Sequence, residues 1–370
     1  MGYDYYEFRS LDRELTDQER EELDTLCSRS EASPTGISFE YNYSSFGSDP
    51  RELVERYFDI GLYLSKYGER RLLLRFPSFD SLAERWRRYA VPGAVAIDAS
   101  PPTLVDVEVD SEELGGWVSS GEGWMDDLVS LREELLDGDL RPLYLFWLAG
   151  IGSLTAEYEP NSPEPPVPPG LDQLTPSQEA VCDFFGLDQD LLAPALQVSG
   201  PRTETEGPDW QRAVEELPPA DQQSFLVRLA EGDTGVRADL RERLRRDLDT
   251  TPLDACQTTD RTVDDYWDAV HRLSAERARR EAEERRREHE AHLKDVWADR
   301  DGIWEDVIEL IETKETSNYD VAVDKLADLQ QAAEHFDAAD SFADNIAFLR
   351  ERYSRLHGLK RRMSRAGLPE

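Results

Sequence analysis

The sequence predicts an α+β protein: an N-terminal α/β module, a mostly α-helical middle, a long charged helix and a C-terminal helical bundle. Three observations carry that expectation. Ile37, Phe39, Tyr41 and Tyr43 alternate with Ser38, Glu40, Asn42 and Ser44, the period of a half-buried strand. Residues 276–290 form an Arg/Glu run with no apolar seam. Beyond residue 303 three apolar faces recur at helical spacing.

Tyr3 to Ser10 read as a first strand, and Thr16 with Glu19 three residues on makes a capping box that opens a helix. The alternating strand from Ile37 follows. Asp49-Pro50 is an N-cap followed by proline at the first helical position. From there Leu53, Val54, Tyr57, Phe58, Leu62, Leu64 and Tyr67 suggest one buried helix, stopped by Gly68. Arg71 to Phe76 then reads as a strand closed by Pro77. Ser78 to Tyr89 is a short amphipathic helix, and Ala94–Ile97 and Thr103–Val109 are two more strands around Pro101-Pro102.

Trp117, Trp124, Met125, Leu128, Leu131 and Leu135 suggest a helix, and Arg141-Pro142 opens a strongly apolar one through Leu148. Residues 160–170 are proline-rich. A proline-groove ligand and a stiff connector are the two readings, and the connector is expected. Thr175-Pro176, Leu191–Ala195, Trp210–Glu216, Pro219–Glu231 and Val236–Asp247 mark short helices. Tyr266 to about Ala298 is one long helix, polar on every face through its middle, which suits a solvent-bridging spacer better than a coiled coil. In the tail, Ile303, Val307, Leu310 and Ile311 form one face. Tyr319, Val323, Leu326 and Phe336 form a second, and Phe342, Ile346, Leu349, Tyr353 and Leu356 a third. The expected division is 1–110, an α/β module; 111–160, a helical extension on it; 161–170, the proline linker; 171–262, a helical domain; 263–300, the charged helix; and 301–370, the bundle.

The chain has 370 residues, 79 of them acidic against 42 basic, for a formal charge of −37. Eight Trp, 14 Tyr and 13 Phe belong to packed cores and argue against a disordered acidic chain. Only Lys66, Lys294, Lys314, Lys325 and Lys360 are lysines; the other basic residues are Arg. A carboxylate-rich, lysine-poor surface stays hydrated in molar salt, where screening removes its self-repulsion. The expectation is the cytoplasm of a salt-accumulating halophile. No run of 18 apolar residues and no signal-peptide apolar core occurs, so no membrane partner is expected. Cys27, Cys182 and Cys256 are far apart and odd in number, which fits reduced thiols.

Signatures of chemistry are sparse. No two cysteines lie close, and His289 and His292 sit inside the Arg/Glu run, where solvated surface residues are the expectation. His271, His289, His292, His335 and His357 all fall in the C-terminal third, there is no Gly-x-Ser-x-Gly elbow, and no phosphate-binding loop occurs. The glycines at 115–123 read as a flexible loop. Asp98, before Ser-Pro-Pro, is the first position to test for metal-dependent hydrolysis, against its reading as a turn-forming Asp. No catalytic, metal or cofactor residue is assigned, and no cofactor is expected.

One stretch reverses the global charge. Arg350, Arg352, Arg355, Lys360, Arg361, Arg362 and Arg365 face a single acid, Glu351. The bland reading is a set of cations complementing helix C-termini. The sharper one is a docking patch for a protein partner or for self-association, with nucleic acid the less favoured alternative because phosphate binding weakens steeply in salt.

Tyr6-Glu7-Phe8, Asp12-Arg13-Glu14-Leu15, Phe58-Asp59, Tyr63-Leu64, Gly68 and Arg141-Pro142-Leu143-Tyr144-Leu145 together resemble a family of uncharacterised prokaryotic proteins. That resemblance implies an N-terminal module, an Arg/Glu helix and a helical tail, and no activity. Tyr319 to Val323, Phe342 and Arg361 to Leu368 resemble the ends of some SWIM zinc-finger proteins. The Cys-x-Cys and Cys-x-His pairs of that zinc motif are absent, so the resemblance implies no metal here. The functional expectation is a non-enzymatic interaction or scaffold protein, with a nucleic-acid accessory factor second and a metal-dependent hydrolase third.

Overall fold

The computed structural model describes residues 3–26, 32–41, 46–76, 80–114, 121–202, 210–232, 236–247 and 256–369. Cys27, Tyr43, Pro77, Gly115, Gly116 and Trp117, singled out above, lie outside them. The chain divides into two compact units, Met1–Leu273 and Ser274–Glu370. Segments 1–110, 111–160, 161–170 and 171–262 fall in the first, 301–370 in the second, and the long helix crosses the boundary.

In the first unit the elements run β1 (Asp4–Arg9), α1 (Asp17–Leu26), β2 (Gly36–Tyr41), α2 (Pro50–Arg56), β3 (Ile60–Ser65), β4 (Glu69–Phe76), α3 (Asp80–Trp86), β5 (Val95–Asp98) and β6 (Thr103–Asp110). Then follow α4 (Trp124–Leu128), α5 (Leu131–Leu136), α6 (Arg141–Ile151), α7 (Pro176–Phe185), α8 (Gln189–Leu196), α9 (Trp210–Glu216), α10 (Pro219–Ala230), α11 (Val236–Asp247) and α12 (Val263–Ala298). The strands make one six-stranded sheet in the order β2-β1-β3-β4-β6-β5, antiparallel throughout. The class is α+β.

The helix expected from Asp49 to Gly68 is two elements. Asp49 caps α2 by accepting from Arg51 N, but α2 ends at Arg56 and β3 follows. A strand covered on both faces is apolar at nearly every position, so its residues also fit a buried helix. Ile60, Leu62 and Leu64 enter one core, and Tyr63 packs on the other. Gly61 is the residue that a helix did not need. A Cβ there would lie 2.7 Å from Phe8 Cδ1 and 2.8 Å from Val54 Cγ2, so only glycine lets α2 and β1 close over β3.

Each sheet face carries its own core. Leu72, Leu74, Phe76, Val105 and Val107 share a core with α6 on one side, which α7 extends; Tyr6, Phe8, Phe39, Phe58 and Leu73 share another with Leu23, Leu53 and Val54 on the other. On the second face Tyr6 stacks between Phe39 and Tyr63, with ring centroids at 5.1 and 4.6 Å, because the register sets all three side by side. Every residue of α6 is buried. Its Arg141 is tolerated there because Asp139 pairs with it at 2.6 Å and Gly170 O accepts from it. Val181, Phe184 and Phe185 of α7 join the same core by packing against α4 and α6, so the helical middle begins in the core that the sheet helps to build.

Residues 160–170, expected as a stiff connector, are held along their length. Val167 and Gln257 exchange two backbone hydrogen bonds of 2.8 Å, and Glu164 N donates to Arg261 O. The Glu164 carboxylate, buried, accepts from Tyr144 Oη at 2.6 Å, from Arg261 Nε and Nη2 at 2.8 Å each, and from Thr259 Oγ1. This hub joins α6, the proline segment and the lead-in to α12.

A second buried pair network closes the loop after β1. Asp59, 1% exposed, accepts from Arg75 Nη2 and from the backbone N–H groups of Leu11 and Asp12. Arg132 on α5 pairs with Asp12 at 2.5 Å and donates to Arg75 O. Burial works against charge on Asp59, yet Arg132, Arg75 and the two backbone donors hold its carboxyl below the usual range.

The second unit contains the rest of α12 with α13 (Arg300–Glu312), α14 (Thr316–His335), α15 (Ala339–Arg352) and α16 (His357–Arg365). Its core gathers Leu293, Val296, Val307, Ile311, Leu326, Leu329, Phe342, Ile346, Leu349, Leu359 and Met363, in line with the helical faces read in the sequence except at Phe336, which is exposed and stacks on Trp297 instead. No helix among the described residues is long and apolar enough to cross a membrane.

Candidate functional site

The seven cations between residues 350 and 365 are distributed over α15, α16 and the turn between them, which carries Arg355. Leu359 and Met363, four apart, bury one face of α16. Gly367, at φ 75, reverses the chain so that Leu368 N bonds to Met363 O at 3.1 Å and the Leu368 side chain returns to the core. That geometry sorts the cations into two groups. Arg350 donates to Leu368 O at 3.1 Å, Arg352 pairs with Glu312 on α13 at 2.8 Å, and Arg362 pairs with Asp320 on α14 at 2.5 Å. These three fasten helices to one another. Arg355, Arg361 and Arg365 are exposed and Lys360 half-buried, and among the described residues no carboxylate lies within ion-pair distance of any of the four. Arg361 and Arg365, one turn apart, share a face of α16.

Arg352 also borders a feature that the helical pattern did not disclose. The side chains of α13 and α15 leave a groove of about 300 Å³, walled by Trp304, Ile308, Phe348, Leu349 and Tyr353 and bounded by Asp301, Asn345 and Arg352. Phe348 stands 65% exposed. The inward face of α15 is Phe342, Ile346, Leu349 and Tyr353, and Phe348 falls off that series; a large aromatic residue out of phase with its own stripe was the available signal. Tyr353 lies under the Arg352 guanidinium at 5.2 Å, and its hydroxyl donates to Glu312 at 3.0 Å. Burial first, then that bond to Glu312, pushes its phenol above the ordinary value.

Asp98 ends β5, where Arg51 Nη2 reaches it at 3.1 Å and Ser100 N donates at 2.9 Å. The Ser100 backbone bond, with Arg51 nearby, holds its carboxyl below the usual value. Next to it Arg71 binds Asp106 through two bonds of 2.8 Å. The carboxylates on this face of β4, β6 and β5 are thus engaged by guanidinium groups, and among the described residues no group of three or more His, Cys, Asp or Glu is placed to hold a metal ion. His289 is exposed on α12, and His292 lies 3.8 Å from Asp328. Cys182 is buried, and burial pushes its thiol up to about 12, well away from reactivity.

No family model, curated protein or solved structure matches this chain significantly.

Proposed function

We propose that this chain is a non-enzymatic interaction or scaffold protein of a salt-rich cytoplasm, with binding surfaces on two folded units joined through α12. One observation carries the reading. Val263, Tyr266 and Val270 of α12 belong to the core of the first unit, Leu293 and Val296 to that of the second, and every residue from 275 to 289 is exposed. Such a stretch gains nothing from packing and is supported by its own ion pairs, Arg277–Glu281, Glu283–Arg287 and Arg286–Glu290. A helix kept solvent-exposed for four turns while both ends are anchored suits a carrier of two heads. The partner is a protein or a second copy of the chain.

A second reading, an accessory factor on nucleic acid, is favoured by Arg355, Lys360, Arg361 and Arg365, which have no carboxylate partner among the described residues. Recovery of partners from cell extract at molar KCl, with and without nuclease, separates the two. Proteins retained after nuclease treatment support the scaffold; partners that vanish with nuclease replace it with the nucleic-acid reading.

A further inference from the structure

We propose that α15, the turn after it and α16 form a helix-turn-helix whose second helix enters the major groove of duplex DNA. The inference rests on the second of the two readings above and names the element, the groove and the kind of nucleic acid.

Connectivity comes first. α15 ends at Arg352 and α16 begins at His357, so Tyr353 to Leu356 make the turn between them. A turn of that length joins either an antiparallel hairpin or two helices set across one another. Here both helices pack on α14 and not along each other, as the crossed arrangement requires. Phe342, Ile346 and Leu349 seat α15, and Leu359 and Met363 seat α16, in one core with Leu326 and Leu329 of α14. Arg362 ties α16 to Asp320 of α14, and Arg350 at the end of α15 donates to Leu368 O beyond α16.

That seating fixes what α16 turns to solvent. With Leu359 and Met363 inward and Arg362 on Asp320, the remaining face carries exposed His357, Arg361, Ser364 and Arg365 and half-buried Lys360. No acidic residue occurs from 352 to 369. Ser364 Oγ accepts from Arg350 at 3.5 Å and keeps its own proton to give. All five side chains donate hydrogen bonds and none is apolar. A protein-docking face holds an apolar or aromatic centre inside a polar rim, and this face has no such centre. Duplex DNA offers what a row of donors needs, phosphate oxygens along the groove walls and the N7, O6 and O4 acceptors on the floor. Its major groove, about 12 Å wide, admits one α-helix. The corresponding groove of duplex RNA is too narrow for side chains to read, so the geometry selects DNA. Hydrogen bonds to base edges also lie outside the counterion release that weakens phosphate contacts in salt.

The test uses the full-length protein and a pool of DNA duplexes of about 30 base pairs, roughly three helical turns, randomised over their central positions. Binding is carried out at the lowest salt that preserves the native circular dichroism. Rounds of retention should enrich a short sequence, and fluorescence anisotropy should show saturable binding of the enriched duplex. Arg361→Gln with Arg365→Gln, both at exposed sites, should keep the dichroism and weaken that duplex by at least about tenfold. The same loss of charge on α12, Arg279→Gln with Arg280→Gln, should leave affinity unchanged within about twofold. Absence of any retained nucleic acid overturns both the proposal and the nucleic-acid reading. Retention without enrichment means phosphate contact alone and overturns groove entry. Indifference to the α16 pair, an equal loss from the α12 pair, or tighter binding of the same sequence as a single strand or as duplex RNA overturns the assignment of α16 while the nucleic-acid reading stands. Labelled polyglutamate that binds more tightly than the enriched duplex overturns the proposal in favour of an acidic protein.

Discussion

Glu164→Ala should unfasten the lead-in to α12 from the sheet-bearing core. The carboxylate accepts two bonds of 2.8 Å from Arg261, one of 2.6 Å from Tyr144 and one from Thr259, so its removal strands a buried phenol and a mostly buried guanidinium. Deleting one partner of a buried ion pair costs about 3–5 kcal/mol. The Arg261 side chain keeps 21% exposure and can turn partly to water, which argues for the lower end, about 3 kcal/mol. Glu164→Gln keeps the shape but loses the charge and sets an amide donor against guanidinium donors, for about 2 kcal/mol. Tyr144→Phe removes one neutral donor to that carboxylate, for about 1.5 kcal/mol. Urea is the denaturant of choice because it leaves ionic strength unchanged, and the midpoints should shift at constant slope. Hydrogen exchange resolved by peptide should place the lost protection at 160–170 and 256–270, with 303–365 unaffected. A loss below about 1 kcal/mol for Glu164→Ala, or one spread evenly over both units, would refute the assignment of this carboxylate as the fastening.

Two further outcomes follow from the sheet-bearing unit. The Arg13 guanidinium, opposed by burial and helped by Thr16, holds the Glu19 carboxyl at about 2 against an ordinary 4.5, so its contribution is complete above pH 4.5 and fades as pH falls toward about 2. The stability gap between the unaltered protein and Glu19→Gln, followed by urea titration, should therefore be flat above pH 4.5 and close on acidification; a gap that widens in acid contradicts the pairing. Gly61→Ala drives a methyl to within 2.7 Å of the Phe8 ring and should cost about 1–3 kcal/mol by the same titration, whereas a neutral result would mean that α2 and β1 can part over β3 without loss.

The amino-acid sequence by itself determined whatever depends on neighbours along the chain. The Thr16–Glu19 capping box forms as written, Glu19 N donating to Thr16 Oγ1 at 3.2 Å and Thr16 N to Glu19 Oε2 at 2.8 Å. The same holds for the Thr175 cap of α7, for the apolar α6, and for the bundle, where Leu359 and Met363 recur one turn apart on a buried face. Local periodicity and capping chemistry suffice there because the partner atoms lie within one turn. Tertiary structure decided the rest. Residues 60–64 became a strand because both sheet faces are covered, and double burial removes the alternation that tells strand from helix. The proline segment packed instead of merely connecting because Gln257 and Glu164's partners, Thr259 and Arg261, arrive from about ninety residues away. Among the seven clustered cations, which fasten helices and which face solvent depended on where Glu312, Asp320 and Leu368 came to rest. Charge is a property of the residue, but its use is a property of distance, and distance between remote residues is set only when the chain has folded.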